Sequence, residues 1–204
     1  MENINMLEYE KKYYDEGLSL VAGIDEAGRG PLAGAVFAAC VVFDKDVVID
    51  GINDSKKLTE KKREELYDII IEKAKYYSIV SVDEKRIDEI NILEATYEAF
   101  RKSLAELGCD VDIVLIDGNR AKDIPVRYET VVKGDAKSQT IASASILAKV
   151  ARDRYITELA KKYPEYGFEK HKGYGTKDHL EAISKYGPCP IHRKTFKGVK
   201  EYVK

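Results

Sequence analysis

The sequence predicts an α/β fold, a mixed central sheet with helices on both faces. Three observations lead there. Five short stretches are rich in apolar and β-branched residues, as strands are. Segments with apolar residues at helical spacing lie between and after them. The order is three strands, helices around the third, then two strands and further helices, which excludes a strict β-α-β alternation. A length of 204 residues suits one domain or one domain with a small appendage.

Met1 to Gly17 is charged and Tyr-rich and reads as a short amphipathic helix leaning on the body. Leu18 to Ile24 reads as the first strand. Gly34 to Phe43 (GAVFAACVVF) reads as a second, buried one. Gly28 to Pro31 is short enough to turn these two into an antiparallel hairpin. After the polar connection Asp50 to Lys57, Thr59 is a good N-cap for a helix over Glu60 to Lys75. Tyr76 to Val82 is the third strand. A second helix puts Leu93, Tyr97, Phe100, Leu104 and Leu107 on one face, with Gly108 as its stop. Val111 to Ile116 and Val126 to Val132 supply strands four and five. From Ser138 a long helical pattern runs through Ile141, Ala144, Leu147, Val150, Ala151 and Ile156 until Pro164 closes it. Its first turns hold only small residues from Ala142 to Ser145, so the helix can press closely on a sheet or a ligand. The remainder is loop-rich, with one helix near Asp178 to Tyr186. The expected division is a catalytic domain over 1–163 and a C-terminal helix and loop segment over 164–204 that completes a substrate groove.

Composition narrows the classes. With 44% hydrophobic and 34% charged residues the chain is soluble and able to bury a core. It has no long uninterrupted apolar run for a membrane span and no signal-like start. Cys40, Cys109 and Cys189 are odd in number and far apart, neither a zinc set nor a disulfide framework, which fits a reducing cytoplasm. The net charge of −2 excludes a wholly basic nucleic-acid binder. Yet residues 161–204 hold 11 Lys and Arg against 5 Asp and Glu. A basic C-terminal segment on an acidic body either tracks phosphates or is a solvated helix and tail.

The chain is organised around Val21 to Gly34 (VAGIDEAGRGPLAG). Asp25 and Glu26 follow an apolar strand, where acids are costly to bury without positive charge beside them. Gly28, Arg29 and Gly30 follow, and glycines permit close backbone approach. A metal beside a phosphate groove and a surface hairpin with solvated acids both fit these residues. Asp117 ends the fourth strand and Asp135 lies between the fifth strand and the long helix. If strands one and four are parallel neighbours, Asp25 and Asp117 share one sheet edge. Crowded carboxylates repel unless a divalent cation neutralises them, and an all-oxygen set suits Mg²⁺ or Mn²⁺ over Zn²⁺. Taken singly, Asp135 also reads as a helix cap and Asp117-Gly118 as a turn.

Further phosphate handles are Ser55, Lys56 and Lys57, ahead of a helix N-terminus, and Lys172 with Tyr174 in KHKGYGT. A capped helix start and a packed loop aromatic are their plain alternatives. Arg152-Asp153 reads as a turn of ion-paired helix. His171, His179 and His192 are not spaced as a metal set.

Eight segments in order extend the pattern: GIDEAGRGPLAG (23–34), DSKKLT (54–59), NILEAT (91–96), IDGN (116–119), VVKGDAKS (131–138), ASILAKVARD (144–153), HKGYGTKDH (171–179) and YGPCPIHRKTF (186–196). Together they resemble bacterial ribonuclease HII, the type 2 ribonucleases H. The resemblance implies a ribonuclease-H-like fold with a five-stranded mixed sheet. It implies endonucleolytic cleavage of RNA in RNA–DNA hybrids and nicking on the 5′ side of single ribonucleotides in duplex DNA, leaving 3′-hydroxyl and 5′-phosphate ends. Asp25, Glu26, Asp117 and Asp135 match the family's metal-binding acids, with Mn²⁺ or Mg²⁺ as cofactor. Gly28-Arg29-Gly30 matches the loop that reads the ribose 2′-OH, and Tyr174 the tyrosine that packs on the next sugar. Thr195 stands where similar sequences often carry Ser, which keeps the hydroxyl. The implied partners are RNA–DNA hybrid and ribonucleotide-containing duplex DNA, for a cytoplasmic monomer without membrane contact.

Two rivals remain in view. A hybrid-binding protein without catalysis would gain only repulsion from four acids near phosphates. A metal-dependent phosphatase or nucleotide-binding enzyme would need a small enclosed pocket, and the glycine loop lacks the Walker pattern. Among enzymes, type 3 ribonuclease H is the nearest neighbour, and the roughly twenty residues before the first strand leave no room for its extra N-terminal domain.

Overall fold

A computed structural model describes residues 5–203. Its five-stranded sheet has the order β3-β2-β1-β4-β5. The strands are β1 (Val21–Ala27), β2 (Val36–Val42), β3 (Tyr76–Val82), β4 (Ile113–Asp117) and β5 (Tyr128–Val131). The pairs β1–β2 and β2–β3 are antiparallel, whereas β1–β4 and β4–β5 are parallel, so the sheet is mixed. The helices are α1 (Glu8–Asp15), α2 (Glu60–Lys73), α3 (Glu84–Ala105), α4 (Gln139–Lys162), α5 (Phe168–His171) and α6 (Lys177–Tyr186).

Alternation along the strands splits the core between two faces. Ala22, Ile24, Ala38, Cys40, Val114 and Ile116 pack under α3 through Tyr97, Phe100 and Leu104. Ala27, Ala39, Val41 and Phe43 pack under α2 and α4 through Leu66, Ile70, Ala144 and Leu147. Leu32 and Ala33 from the β1–β2 connection, with Ile156 and Ala160 of α4, form a third cluster with Phe168, Ile183, Ile191 and Val199. The C-terminal segment is thereby packed onto the end of α4 and the loop after β1.

The caps follow local chemistry. Thr59 accepts from Lys62 N, and Ser138 accepts from Ile141 N. Buried Glu10 of α1 adds a carboxylate at the start of α4, accepting from Ser138 Oγ at 2.6 Å, Thr140 N at 2.9 Å and Thr140 Oγ1 at 2.9 Å. Negative charge is favoured at that end of a helix.

Several boundaries differ from expectation for identifiable reasons. β1 extends to Ala27, so Asp25 and Glu26 lie inside the strand: Glu26 pairs with Ala38 and Ala27 with Phe37. The β1–β2 connection is therefore Gly28 to Ala35, longer than a tight turn, and Leu32 N and Gly34 N are taken by Gly173 O and Ile191 O. α3 begins earlier than its apolar face and kinks at Asn91 (φ 70°, ψ 164°), a conformation almost confined to glycine. Asn91 Oδ1 accepts from Leu93 N and Glu94 N, restarting the helix beyond the kink. Leu93, in the turn that follows the kink, is 40% exposed, whereas Tyr97, Phe100 and Leu104 are buried. Leu107 and Gly108 fall beyond the end of α3. The short α5 had no periodic signal, being only four residues. Of the expected N-terminal helix, residues 1–4 lie outside the described residues. No helix among the described residues is long and apolar enough to cross a membrane.

Candidate active site

Register assembles the site. β1 runs parallel to β4 with Ile24 opposite Ile116. Asp25 and Asp117, the next residues on each strand, therefore emerge side by side at the carboxyl edge of the sheet. Open α/β sheets bind ligands in crevices at that edge. Successive strand residues face opposite ways, so Asp25 lies on the α4 side and Glu26 on the α3 side. Asp135 arrives on the short 3₁₀ turn Gly134–Ala136, whose Gly134 N donates to Asp117 Oδ1 at 2.6 Å. It does not cap α4, a role that falls to Ser138.

The carboxyls are held at electrostatic cost. Asp25 is 5% exposed and Asp135 4%. Asp25 Oδ1 accepts from Glu26 N at 2.7 Å, and the Ser145 hydroxyl also bonds its side chain. Burial, then Glu26, then Asp117 push Asp25 well above the usual carboxylate range. Burial also raises Glu26; the Arg29 guanidinium, 3.3 Å away, opposes this, and Asp117 adds to it. Asp135 is raised by burial, Asp117 and Asp54, against Lys56, whose Nζ is 3.5 Å from Oδ2. Among the described residues no three of His, Cys, Asp and Glu converge on one point as a ready chelate. The acids adjoin in pairs instead: Asp25 with Glu26, Asp25 with Asp117, Asp117 with Asp135. All donors are carboxylate oxygens, a set that suits a hard divalent cation, and Mg²⁺ is commonly bound through one or two carboxylates with water completing its shell.

An open cavity lies over this edge. Asp25, Glu26, Asp117, Gly28, Arg29, Gly30, Ser55, Lys56 and Tyr174 line it, so nine of the residues singled out in the sequence share one surface. Asp135 sits just behind, reached through Lys56 and Asp117. Ser55 is buried and bonded to Ser145 Oγ at 3.0 Å. Lys57 and Lys172 do not line the cavity. Lys172 Nζ instead donates to Thr157 Oγ1 at 2.9 Å, on α4.

Sequence reasoning missed several lining groups: Arg63, Ser145, Lys149 and Arg152. Arg152 is not ion-paired with Asp153, whose partner is Lys149 at 2.6 Å. Arg152 is 1% exposed, donates to Lys172 O at 3.1 Å and lies 5.9 Å from the centre of the Tyr174 ring. Among the described residues its Nε and Nη1 have no hydrogen-bond partner. A Cβ at Gly28, which also has φ +97°, would meet Arg152 Nε at 2.1 Å. Only glycine fits there. Arg193, fully buried, holds the same loop from beneath, donating to Gly28 O, Arg29 O and Gly34 O at 2.6, 2.9 and 2.9 Å. Both arginines sat inside the quoted motifs, but nothing local tells a buried Arg from a surface one. Thr195 Oγ1 donates to Asp88 Oδ1 at 2.7 Å, tying the C-terminal segment to α3.

Residues 22–199 match the family described as Ribonuclease HII. A Ribonuclease HII of Caldicellulosiruptor bescii is 54% identical over 195 residues, 96% of this chain and 95% of its own. One of Acetivibrio thermocellus is 57% identical over 193 residues, covering 95% of this chain and 75% of its own. Among solved structures, the ribonuclease H2 of Pyrococcus horikoshii OT3 superposes with a TM-score of 0.75 at 31% identity, over 90% of this chain and 96% of that one. A Bst-RNase HIII solved in complex with Mn²⁺ shares the fold, with a TM-score of 0.72 at 16% identity over 90% of this chain and 69% of that one.

Proposed function

The chain belongs to the Ribonuclease HII family, endonucleases that cut the RNA strand of RNA–DNA hybrids, and on that premise we propose that it also nicks duplex DNA on the 5′ side of a single embedded ribonucleotide. The carrying observation is the shared surface of Asp25, Glu26, Asp117, the Gly28–Gly30 loop and Tyr174. In this reading Asp25, Glu26, Asp117 and Asp135 hold Mg²⁺ or Mn²⁺. The bound cation would lower the pKa of a water and offset charge developing on the phosphate.

The chain's own groups do the rest. The loop at Gly28 to Gly30 offers bare backbone to the ribose 2′-OH, the one group that tells RNA from DNA at a single nucleotide. Arg193 keeps that loop in place through three carbonyls. Tyr174, 45% exposed and facing Gly30, offers its ring to the neighbouring sugar. A 2′-hydroxyl on that sugar would crowd the ring, which favours an RNA–DNA junction. Lys56 and Arg29 place positive charge along the groove for phosphates. Water attacks phosphorus in line, the P–O3′ bond breaks, and 3′-hydroxyl and 5′-phosphate ends remain. The segment after α4 supplies Tyr174 and Arg193 and so completes the groove.

The test is a denaturing gel of a duplex with one ribonucleotide, run with Mg²⁺, with Mn²⁺ and with chelator. We expect one nick, dependent on the cation and absent in Asp25→Asn, which still binds the duplex. Nicking by Asp25→Asn at the wild-type rate would refute the assigned role.

A further inference from the structure

We infer that His192, acting through His179, is a positioning residue for Tyr174, and that the two imidazoles do this in one fixed pair of neutral tautomers. The inference rests on the reading of Tyr174 as the ring that meets the substrate sugar.

His179 and His192 are 0% and 1% exposed, remote from the acids and unexplained by the chemistry above. They form an unbroken chain of hydrogen bonds. Tyr174 O lies 2.9 Å from His179 Nδ1. His179 Nε2 lies 3.0 Å from His192 Nε2. His192 Nδ1 lies 2.9 Å from Cys189 N. The two ends determine every proton between them. A carbonyl only accepts, so His179 carries hydrogen on Nδ1. A backbone amide only donates, and the Cys189 thiol, with Sγ 3.1 Å from the same nitrogen, is kept protonated by burial, so His192 Nδ1 is bare. Neutral His192 therefore donates from Nε2 to the bare Nε2 of His179. One added proton would set two N–H groups against each other, at the Nε2 contact or at the Cys189 amide. Burial disfavours that proton further, holding both imidazoles at about 4.

What the chain positions follows from its ends. On one side is the backbone of Tyr174. On the other is a segment anchored to the glycine loop: His192 bridges Ala33, and Gly34 N donates to Ile191 O at 2.8 Å. Arg193, the next residue, grips Gly28 O and Arg29 O. The Tyr174 ring and the Gly28–Gly30 backbone are thus referenced to one dipeptide, His192–Arg193. Selectivity for a junction needs those two groups at a set separation, because they read adjacent sugars.

The test uses the full chain and the ratio of kcat/KM on a single-ribonucleotide duplex to that on a uniform hybrid. His179→Phe keeps a ring but cannot donate to Tyr174 O; we expect the ratio to fall about tenfold, mainly through KM on the single-ribonucleotide duplex. His179→Asn retains a donor near the Nδ1 position and should restore the ratio to within about threefold. His192→Phe should lower the ratio in the wild-type background and add nothing in His179→Phe, since the two act in series. A ratio unchanged in His179→Phe, no rescue by Asn, or additive effects would each overturn the inference. Wild-type protein gives a check free of folding defects: imidazole ¹⁵N spectra at neutral pH should show His179 protonated only at Nδ1 and His192 only at Nε2, and any other pattern overturns it. If wild-type protein fails to nick the single-ribonucleotide duplex at all, the fault lies with the functional reading, and the spectra still decide the tautomers.

Discussion

Gly23 of β1 and Thr140 of α4 are in backbone contact: a Cβ on Gly23 would lie 2.2 Å from the Thr140 carbonyl carbon and 2.4 Å from Ile141 N. Neither atom belongs to a flexible side chain. The first turn of α4 therefore rests on bare strand two residues before Asp25. That closeness brings Ser145 to Asp25 and Arg152 beneath the glycine loop.

Gly23→Ala should accordingly be among the most damaging single substitutions in the sheet. Overpacking at a rigid backbone contact costs about 1–3 kcal/mol and here falls at the upper end. We expect a fall in melting temperature of about 6 °C or more for a chain of this size, with lowered nicking even well below the melting point. A melting temperature within about 1 °C of wild type would show that α4 can move off β1.

The carboxyl edge should be a source of instability when no cation is present. Asp25 is held above its usual range by burial, Glu26 and Asp117. A carboxyl raised in the folded state opposes folding once pH exceeds its unfolded value, since the ionised form is then favoured by the unfolded chain. In chelator at neutral pH, Asp25→Asn should therefore melt higher than wild type, by about 2–4 °C for each kcal/mol relieved. Saturating Mg²⁺ should narrow or reverse the difference by stabilising only the wild-type site. A lower melting temperature for the variant in chelator would contradict the repulsion.

Tyr174 contributes its ring, and Arg152 lies against it. Tyr174→Ala should lose junction selectivity before general activity. Burying a large ring against a sugar is worth about 1.5–3 kcal/mol, so nicking at a single ribonucleotide should drop roughly tenfold or more while a uniform hybrid is cut at a rate closer to wild type. Equal losses on both substrates would mean the ring serves binding alone.

Acid should act through the histidine couple. His179 and His192 are pulled down to about 4 by burial, to which His171 adds at His179, and His179 and His171 add at His192. Between their usual value of about 6.5 and 4, the unfolded chain binds more protons than the folded one. Their contribution to stability is present above about 6.5 and is lost as pH falls through about 4. NMR titration of their ring protons should show no midpoint above pH 5. A midpoint near 6.5 for either would mean the burial is not maintained in solution.

Local chemistry settled much of this molecule. Apolar runs and caps located all five strands and the helices of eight or more residues, because burial and capping act within a few residues of chain. Thr59 is the cap its residue type predicts, whereas at the long helix Ser138 takes the capping role that the sequence offered to Asp135. The motifs carried the family resemblance that the family match bears out, and they marked Asp25, Glu26, Asp117 and the glycine loop as candidate site residues.

Tertiary structure decided what no local pattern encodes. The parallel pairing of β1 with β4, across some ninety residues, sets Asp117 beside Asp25. Register is a property of two distant segments, and only the packed sheet fixes it. Burial is likewise set by what folds over a residue: Arg152, read in the sequence as half of an ion pair, is a nearly inaccessible cation whose guanidinium bonds backbone carbonyls of Ala33 and Lys172. Arg193 gains its role from carbonyls of Gly28, Arg29 and Gly34, far away in sequence, and the His179–His192 couple forms only when the two segments that carry it pack together. The residue types carried the chemistry, and long-range backbone contacts determined which of them could act together.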